Sequence, residues 1–454
     1  MMNQLNTNTT RAQELYQSKL MSADQAVEQF LPDAHFVTFG CYAGTPVAVS
    51  KAYAEAAKKG LFTHPIETYL FRSSAQVVSF FNDPEVLKTI HLQLPFMGGE
   101  IGTLLKTARN HLGKVQYPEY IPGHFSHMES GFLTQQGDPD VHMLQVSSMD
   151  EHGYFSFGLD GSFSIPAARR AKRIIIEVNE KMPRTFGDGI IHVSDVDAIV
   201  EHTSDLLILP NKPAKETDHA IAEHIINYIV DGACIQLGIG GVPDAVGQCL
   251  LDKNDLGIHT ELLCSSQIDL IKNGNVTNKY KNLHRHHTVF NVAMLPSQEY
   301  YDVLDNNPSM LCYPASYVND ASVIEKIDNM ISINSFVEID LFGQVASESV
   351  AWKQITGTGG QVDFVRGASG SRGGKSFLAA ASTAKGGQLS KIVPRLNNIV
   401  TTARTDVQHV VTEFGCANLA GMSNSQRAKT LISLAHPSFR EELTEQAKTM
   451  GLIK

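Results

Sequence analysis

The chain has 454 residues, 43% of them hydrophobic and 19% charged, which predicts two or three globular domains with an ample buried core. Its formal net charge of −10 argues against nucleic acid as a partner, whereas a local pocket can still bind a small anion. A polar N-terminal stretch, no apolar run of about 18 residues and six cysteines without a C-x-x-C pair predict a cytoplasmic protein with free thiols, no signal peptide and no membrane partner.

Short β-branched runs alternate with amphipathic helical stretches, and this alternation predicts an open α/β fold with largely parallel sheets. The predicted strands, in chain order, are 35–39, 173–178, 206–209, 234–238 and 287–295. The predicted helices are 47–57, 219–230, 243–251 and 423–434.

Two of these stretches follow the same plan of strand, glycine-rich turn, proline near a helix start, and helix. They are FVTFGCYAGTPVAVSKAYAEA (36–56) and CIQLGIGGVPDAVGQCLL (234–251). The repeat predicts two similar α/β domains, 1–215 and 216–454, divided at the polar, proline-containing stretch 209–220. Ligands of open α/β sheets bind beyond the carboxyl ends of the strands, so we expect the active site between the two domains.

The glycine-rich stretch TGTGGQVDFVRGASGSRGGKS (356–376) fits neither of two standard nucleotide motifs. A Walker A loop needs glycine five places before Gly374, where the chain has Ser369. A dinucleotide fingerprint needs a third glycine where this stretch has Val362 and where the loop after 234–237 has Pro243. Both loops are therefore either plain turns or places where backbone N–H groups approach a negative group.

Four carboxylates lie in otherwise apolar or small-residue segments: Glu261 in LGIHTELLCSS, Glu413 in HVVTEFGCANLAG, and Glu338 and Asp340 in SFVEIDLFG. A carboxylate in such a place costs free energy unless it is paired or used. Taken singly, each is either functional, a solvent-facing strand residue or a helix-cap partner. Together with glycine-rich backbone that can supply oxyanion donors, they fit acyl transfer through an acyl-carboxylate intermediate.

Other catalytic patterns are poorly supported. The chain has no G-x-S-x-G nucleophile elbow. The histidine-rich run HRHH (284–287) lacks cysteine or carboxylate partners at ligand spacing, which favours a solvated or capping cluster over a metal site. We expect no metal and no redox cofactor.

Several motifs resemble the acetyl-CoA hydrolase/transferase family, in particular its 4-hydroxybutyrate and butyrate CoA-transferases. In the C-terminal half they are GIGGVPDAV, LGIHTELL, ISINSFVEIDLFGQV, TGTGGQVDFVRGAS, STAKGGQLSKIVPRL and VVTEFGCANLAGMSNSQRAKTLISLAHPSFREEL. In the N-terminal half they are VSSMDEHGYFSFG and VNEKMPRTFGD. The resemblance covers nearly the whole chain after about residue 30 and implies the family fold of two similar α/β domains.

The resemblance also implies roles for named residues. It makes Glu261, in HTE, the nucleophile, and it gives the backbone of Gly359 and Gly360 the role of an oxyanion hole. Glu413 and Asn319 would orient the nucleophile.

CoA or substrate binding is expected from the glycine loop that contains Gly238, Gly240 and Gly241, and also from Gln361 and Lys375. A departure from the family pattern is Arg372, which places a positive charge in the glycine-rich stretch.

The predicted enzyme moves CoA between an acyl-CoA, such as acetyl-CoA, and a short-chain carboxylic acid of the 4-hydroxybutyrate or butyrate class. The reaction would be ping-pong through a glutamyl-CoA thioester, with coenzyme A as substrate, no permanent cofactor and a homo-oligomer, by resemblance a dimer. Two alternatives stay open: an acyl-CoA hydrolase on the same site, and a non-catalytic CoA-binding protein.

Overall fold

The computed structural model describes residues 2–211 and 213–454, which form two compact units. The first unit comprises Met1–Pro210 and a later segment, Val289–Tyr317. The second unit comprises Asn211–Thr288 and Val318–Lys454.

The first unit contains a fully parallel seven-stranded sheet in the order β7-β6-β5-β1-β2-β3-β4. Its strands are β1 (Phe36–Phe39), β2 (Ile66–Tyr69), β3 (Ile90–Leu94), β4 (Glu119–Tyr120), β5 (Val141–Val146), β6 (Arg173–Val178) and β7 (Ala198–Glu201). The central strands β1 and β5 are buried along their whole length, as expected for parallel strands covered on both faces.

In the second unit, six strands follow the order β13-β12-β11-β10-β8-β9. They are β8 (Cys234–Leu237), β9 (Gly257–Leu263), β10 (Met330–Ser335), β11 (Lys375–Ala379), β12 (His409–Thr412) and β13 (Gly415–Asn418). All neighbours are parallel except β13, which forms an antiparallel hairpin with β12.

The two units share one strand order, which confirms the prediction of two similar, largely parallel α/β domains. In each, the first strand in the chain lies inside the sheet, with the next strand on one side and later strands on the other, three of them in the first unit and four in the second. The repeated strand–turn–helix plan forms this central strand in both units. The direction in which successive strands are added to the sheet reverses beside β1 and beside β8, and ligands of open α/β folds bind at such switch points.

Helices cover the strands in both units. In the first unit they are α1 (Met2–Lys19), α2 (Ala23–Phe30), α3 (Val47–Lys58), α4 (Ala75–Phe81), α5 (Ile101–Asn110) and α6 (Ser164–Arg170). In the second unit they are α7 (Glu216–Ile226), α8 (Gly241–Cys249), α9 (Ser265–Lys272), α10 (Gln361–Gly370), α11 (Asn424–Leu434) and α12 (Pro437–Thr449).

Helix α3 begins after Pro46, which cannot cap it with a side chain. The carboxylate of Glu177, at the end of β6, instead accepts hydrogen bonds from the backbone N–H groups of Val47 and Val49 at 2.8 and 3.0 Å. Burial raises the pKa of Glu177 to about 7, although these bonds lower it. The first predicted glycine turn is thus fixed to the sheet by a buried carboxylate.

Most predicted elements form within one to four residues of their expected ends, and 173–178 forms as β6 without a shift. The predicted strand 206–209 is wrong, because this segment has no regular structure. It makes a backbone bond from Leu209 to Leu295 at 3.0 Å, and the following Pro210 has no N–H to extend a ladder. Only Leu206 is buried, so the apolar run does not form a sheet strand.

Helices long and apolar enough to cross a membrane are absent from the part of the chain that the structure describes.

Candidate active site

Glu261 lies within β9. Ile258, His259 and Thr260 before it and Leu262 after it are buried, whereas Glu261 keeps partial exposure. The strand pairs with β8 so that Cys234 lies opposite Gly257. Continuing this register places Gly238, the first residue after β8, beside Glu261. The carboxylate therefore lies at the carboxyl edge of the second unit's sheet.

Asn319 holds the carboxylate of Glu261. Its side chain is fully buried, and its Nδ2 donates a hydrogen bond to Oε2 of Glu261 at 2.6 Å. The ring of His259, two residues before Glu261, bonds through Nε2 to the carbonyl of Val318 at 2.8 Å. Burial lowers the pKa of His259 to about 3, so the ring is neutral and donates this bond. The bond between His259 and Val318 therefore holds the next residue, Asn319, against β9.

The turn at Gly359 and Gly360 closes the other side of the carboxylate. Gly359 has φ +57°, a left-handed conformation that glycine adopts without strain. Gly360 is the N-cap of α10, and its backbone amide donates to the Glu261 carboxylate. A Cβ on Gly360 would overlap both Glu261 and Asn319, and a Cβ on Gly359 would lie 3.8 Å from Oε1 of Glu261. The turn can approach the carboxylate this closely only because Gly360 lacks a side chain.

The pKa of Glu261 lies near neutral pH. Its pKa is raised to about 7, because burial and the nearby charge of Asp363 raise it by more than the bonds from Asn319 and Gly360 lower it. Its carboxylate also faces the N-terminus of the ten-residue helix α10, which favours a negative charge. A carboxylate with such a pKa is partly ionised at pH 7 and less stabilised as an anion than an exposed one, which suits a nucleophile.

The glycine loop after β8 lies next to this carboxylate. The amide of Gly238 donates to the carbonyl of Ile333 at 2.9 Å, and Gly240 caps helix α8 with φ +128°. Gly241 packs against the Asp218 carboxylate so closely that a Cβ would overlap it. A cavity of about 300 Å³ opens beside Gly241, and Lys391 lines it together with residues that follow β10 and β11. The loop and the cavity lie at the same edge of the sheet as Glu261.

Glu348 anchors the glycine turn and was missed by the sequence analysis. This side chain is 4% exposed, and its Oε2 accepts hydrogen bonds from Gln354 at 2.8 Å and from Thr358 at 3.2 Å. Its Oε1 accepts from Thr401 at 3.0 Å. Thr358 directly precedes Gly359, so a buried carboxylate positions the turn. The motif SES around Glu348 carries no periodicity or spacing that could have indicated this contact.

Two residues that the resemblance placed in the site have other partners here. Gln361 donates from Nε2 to Oγ1 of Thr402 at 2.8 Å. The carboxylate of Glu413 accepts from the amide and the hydroxyl of Ser382 at 2.8 and 2.6 Å. Glu413 follows β12, which is four strands from β9, or roughly 19 Å across the sheet. Asn319 therefore contacts Glu261, whereas the carboxylate of Glu413 contacts Ser382 and lies away from Glu261.

Lys375 and Arg372 lie away from Glu261. Lys375 is the first residue of β11, and strand pairing puts Leu378 level with Glu261, so Lys375 is roughly 10 Å nearer the amino edge. Its Nζ donates to the carbonyl of Gly373 at 3.2 Å. Arg372 forms an exposed ion pair with Asp328. In the second half of the glycine-rich stretch, Arg372 is thus exposed and Lys375 is half-buried, whereas Ser371 and Ser376 are buried.

Metal ligands do not cluster in residues 2–211 and 213–454: no group of three or more histidine, cysteine, aspartate or glutamate side chains there could hold a metal ion.

Comparison with known proteins agrees with this geometry. The N-terminal domain profile of acetyl-CoA hydrolase/transferase matches residues 2–209, and the C-terminal domain profile of the same family matches residues 297–447. The chain is 39% identical to the 4-hydroxybutyrate coenzyme A transferase of Clostridium kluyveri, an alignment that covers 96% of this chain and 99% of that protein. It is 38% identical to the butyryl-CoA:acetate CoA-transferase of Anaerostipes caccae, with 96% and 97% covered. The crystal structure of RipA from Yersinia pestis superposes with a TM-score of 0.92 at 40% identity, covering 97% of this chain and all of that one.

Proposed function

The chain belongs to the acetyl-CoA hydrolase/transferase family, and from this premise we propose that it transfers coenzyme A from an acyl-CoA to a short-chain carboxylic acid. The observation that carries the proposal is the single carboxylate of Glu261, held by the Asn319 amide and the Gly360 N–H at the switch-point edge of a parallel sheet. The family name suggests acetyl-CoA as a donor, and the names of relatives suggest 4-hydroxybutyrate or butyrate as acids.

The reaction begins when a carboxylate oxygen of Glu261 attacks the thioester carbonyl of the acyl-CoA. The C–S bond breaks, which gives an acyl–glutamyl anhydride and the CoA thiolate. The thiolate then attacks the glutamyl carbonyl, and the first acid leaves as a carboxylate, so that a glutamyl–CoA thioester stays on the enzyme. An acceptor carboxylate runs the same two steps in reverse and leaves as the new acyl-CoA. Because one thioester is exchanged for another, the transfer needs no ATP.

The geometry supports a division of labour between the two oxygens of Glu261. Asn319 holds Oε2, so Oε1, which faces Gly359, is the oxygen that attacks. When the thiolate later adds to the glutamyl carbonyl, negative charge develops on the held oxygen. The Asn319 amide and the Gly360 N–H are already placed to stabilise that oxyanion, and donors fixed in advance lower a barrier without reorganisation.

Binding of the part of CoA that is remote from the thioester would raise the reaction rate further. The glycine loop at Gly238–Gly241 and the adjoining cavity lined by Lys391 are where we place part of the CoA. Interactions remote from the thioester can be used to hold it against Glu261, which raises turnover and not only affinity.

Transfer and hydrolysis are separated by one assay. With acetyl-CoA and saturating butyrate or 4-hydroxybutyrate, new acyl-CoA should form much faster than free CoA accumulates, because a site that protects an anhydride excludes water. Free CoA released at an equal or higher rate would identify a hydrolase instead. A protein that binds acetyl-CoA but forms neither product would be a non-catalytic binder. The expected homodimer and cytoplasmic location stay predictions, which light scattering and cell fractionation would check.

A further inference from the structure

A patch of exposed apolar side chains lies on the second unit. Trp352, the only tryptophan of the chain, is 65% exposed, and its indole makes no ring contact, cation–π contact or hydrogen bond within the described residues 2–211 and 213–454. Four more apolar residues with exposed fractions between 38% and 46% complete the set, which we call the Trp352 patch: Val350, Ile355, Ile399 and Val400.

Two neighbouring segments of the chain form the Trp352 patch. The first is a hairpin of the short strands Ser349–Val350 and Lys353–Gln354, which are antiparallel and joined by Ala351 and Trp352. The second contains Ile399 and Val400, and the amide of Ile399 donates to Oγ of Ser349 at 3.0 Å. This bond holds the second segment beside the hairpin, so the exposed side chains of the two segments belong to one surface.

The tip of this hairpin is strained. Ala351 and Trp352 have φ values of +47° and +65°, which a two-residue hairpin turn requires and which asparagine and glycine usually supply. A bulky residue with a Cβ rarely adopts such a value. The hairpin also forms a two-stranded sheet of its own, and an isolated hairpin is only marginally stable in water. Packing of the Trp352 indole against a partner would offset both effects.

The area of the Trp352 patch suits one side of a protein–protein interface. Its five residues expose roughly 400 Å² together, and the indole gives the largest share. The largest apolar patch on a typical monomer measures about 300–600 Å² and is often functional. One side of a stable interface buries about 800 Å², slightly more than half of it apolar. The Trp352 patch can therefore supply most of the apolar surface that a stable dimer needs on each side.

The charges around the patch favour a second copy of this chain as the partner. The chain has a formal net charge of −10, so two copies repel each other unless they meet where carboxylates are few. In residues 347–356 and 397–402 the charged side chains are Glu348 and Lys353. Glu348 is buried and bonds to Thr358 beside the glycine turn. Lys353 is exposed and brings a positive charge to an acidic partner.

We propose that the Trp352 patch is the contact through which two copies of this chain form a homodimer. A two-fold contact uses the same surface on both copies, so the indole of each copy packs against the patch of the other. The composition of the patch agrees with this role, because the cores of interfaces are depleted in charged residues and enriched in tryptophan. Association through the patch does not require the transfer reaction and can hold if the proposed function fails.

The single tryptophan makes this contact directly measurable. Sedimentation and tryptophan fluorescence are recorded on the full chain from about 0.1 to 100 μM, which spans moderate and weak affinities. As the dimer forms, the Trp352 emission should shift to shorter wavelength and its quenching by acrylamide should fall, with the same midpoint as in sedimentation. Trp352→Ser should raise the Kd of the dimer at least about 30-fold, the effect of losing one hot-spot side chain. Trp352→Phe keeps an aromatic ring and should raise the Kd less.

Leu251→Ser is the matched control. Leu251 is an apolar side chain of the same unit that is 48% exposed, and it follows the C-terminal end of α8, outside the patch. Its replacement should leave the Kd of the dimer within about twofold, as expected of a surface substitution outside the interface.

Four results would overturn the proposal. A chain that stays monomeric at about 100 μM has no such contact. A dimer in which Trp352 stays open to acrylamide, or which Trp352→Ser leaves intact, is held by another surface. A monomer that shields Trp352 at every concentration covers the patch with its own chain. A monomer whose Trp352 emission shifts only when acetyl-CoA is added uses the patch to bind a ligand.

Discussion

Replacing Asn319 by alanine should shift the pH dependence of kcat/KM to higher pH. Asn319 Nδ2 donates to the Glu261 carboxylate at 2.6 Å, and this bond lowers a pKa that burial raises to about 7. A hydrogen bond to a charged group is worth about 1.5–3 kcal/mol. Since one pKa unit corresponds to about 1.4 kcal/mol, its loss should raise the pKa of Glu261 by about one to two units.

The magnitude at neutral pH follows from this shift. At pH 7 the ionised fraction of Glu261 should fall from about one half to between about a tenth and a hundredth. The kcat/KM of Asn319→Ala should therefore fall about 5- to 50-fold at pH 7 and recover most of the loss above about pH 9. The assay is a profile of kcat/KM for acetyl-CoA between about pH 5.5 and 9.5, in which the wild type rises with pH through an apparent pKa near 7.

Two controls sharpen this test. Asp363→Asn removes the negative charge that raises the pKa of Glu261, so its profile should shift to lower pH. Asn398→Ala removes the same kind of bond from another carboxylate, that of Glu338, and should leave the profile unchanged. A loss in Asn319→Ala that is equal at every pH, in a protein that melts like the wild type, would refute the electrostatic reasoning.

Three further changes test the turn and the edge of the sheet. Gly360→Ala should lower kcat by about 10²–10³ with a smaller effect on KM, because a Cβ would overlap Glu261. Its control, Gly370→Ala at the other end of α10, meets only Glu325 at 3.3 Å, and an equal loss there would remove support for the oxyanion role. Glu348→Gln should lower both the melting temperature and kcat, the latter about tenfold, because it can turn the acceptor of two half-buried donors into a donor. An unchanged melting temperature and unchanged turnover would show that the turn holds without the Glu348 carboxylate. Lys375→Ala should leave the KM for acetyl-CoA within about twofold, since the side chain lies at the amino edge, and a large rise would restore its predicted contact with CoA.

The fold could be predicted because its signals are local. The predicted and observed strand β6 contains the buried apolar run III (174–176), and glycine–proline turns mark where helices α3 and α8 begin. The segment 206–209 has the same apolar composition, but it lacks a neighbouring strand to pair with. The sequence carries no local signal that Val289–Tyr317 belongs to the first unit, because this assignment depends on contacts with residues far away in sequence.

A site residue could be predicted from the sequence only where it stands in a recognisable motif and also contacts other site residues in the folded chain. Glu261 and Gly360 stand in recognisable motifs, and the structure brings them together. Glu348 carries no motif, because its role comes from strand ends that meet only in the folded chain. Lys375 stands in a glycine-rich motif, but the register of β11 places it away from the carboxylate, and no count of sequence spacing reveals that register.

The covalent intermediate on Glu261 is the central claim, and mass spectrometry tests it most directly. The protein is mixed with acetyl-CoA, quenched in acid and digested, and each peptide is searched for the added mass of CoA. The account predicts CoA on the peptide that contains Glu261, no adduct in Glu261→Ala, and transfer by that variant lowered by several orders of magnitude with the fold intact. A CoA adduct on another residue, or a fully active Glu261→Ala protein, would contradict it.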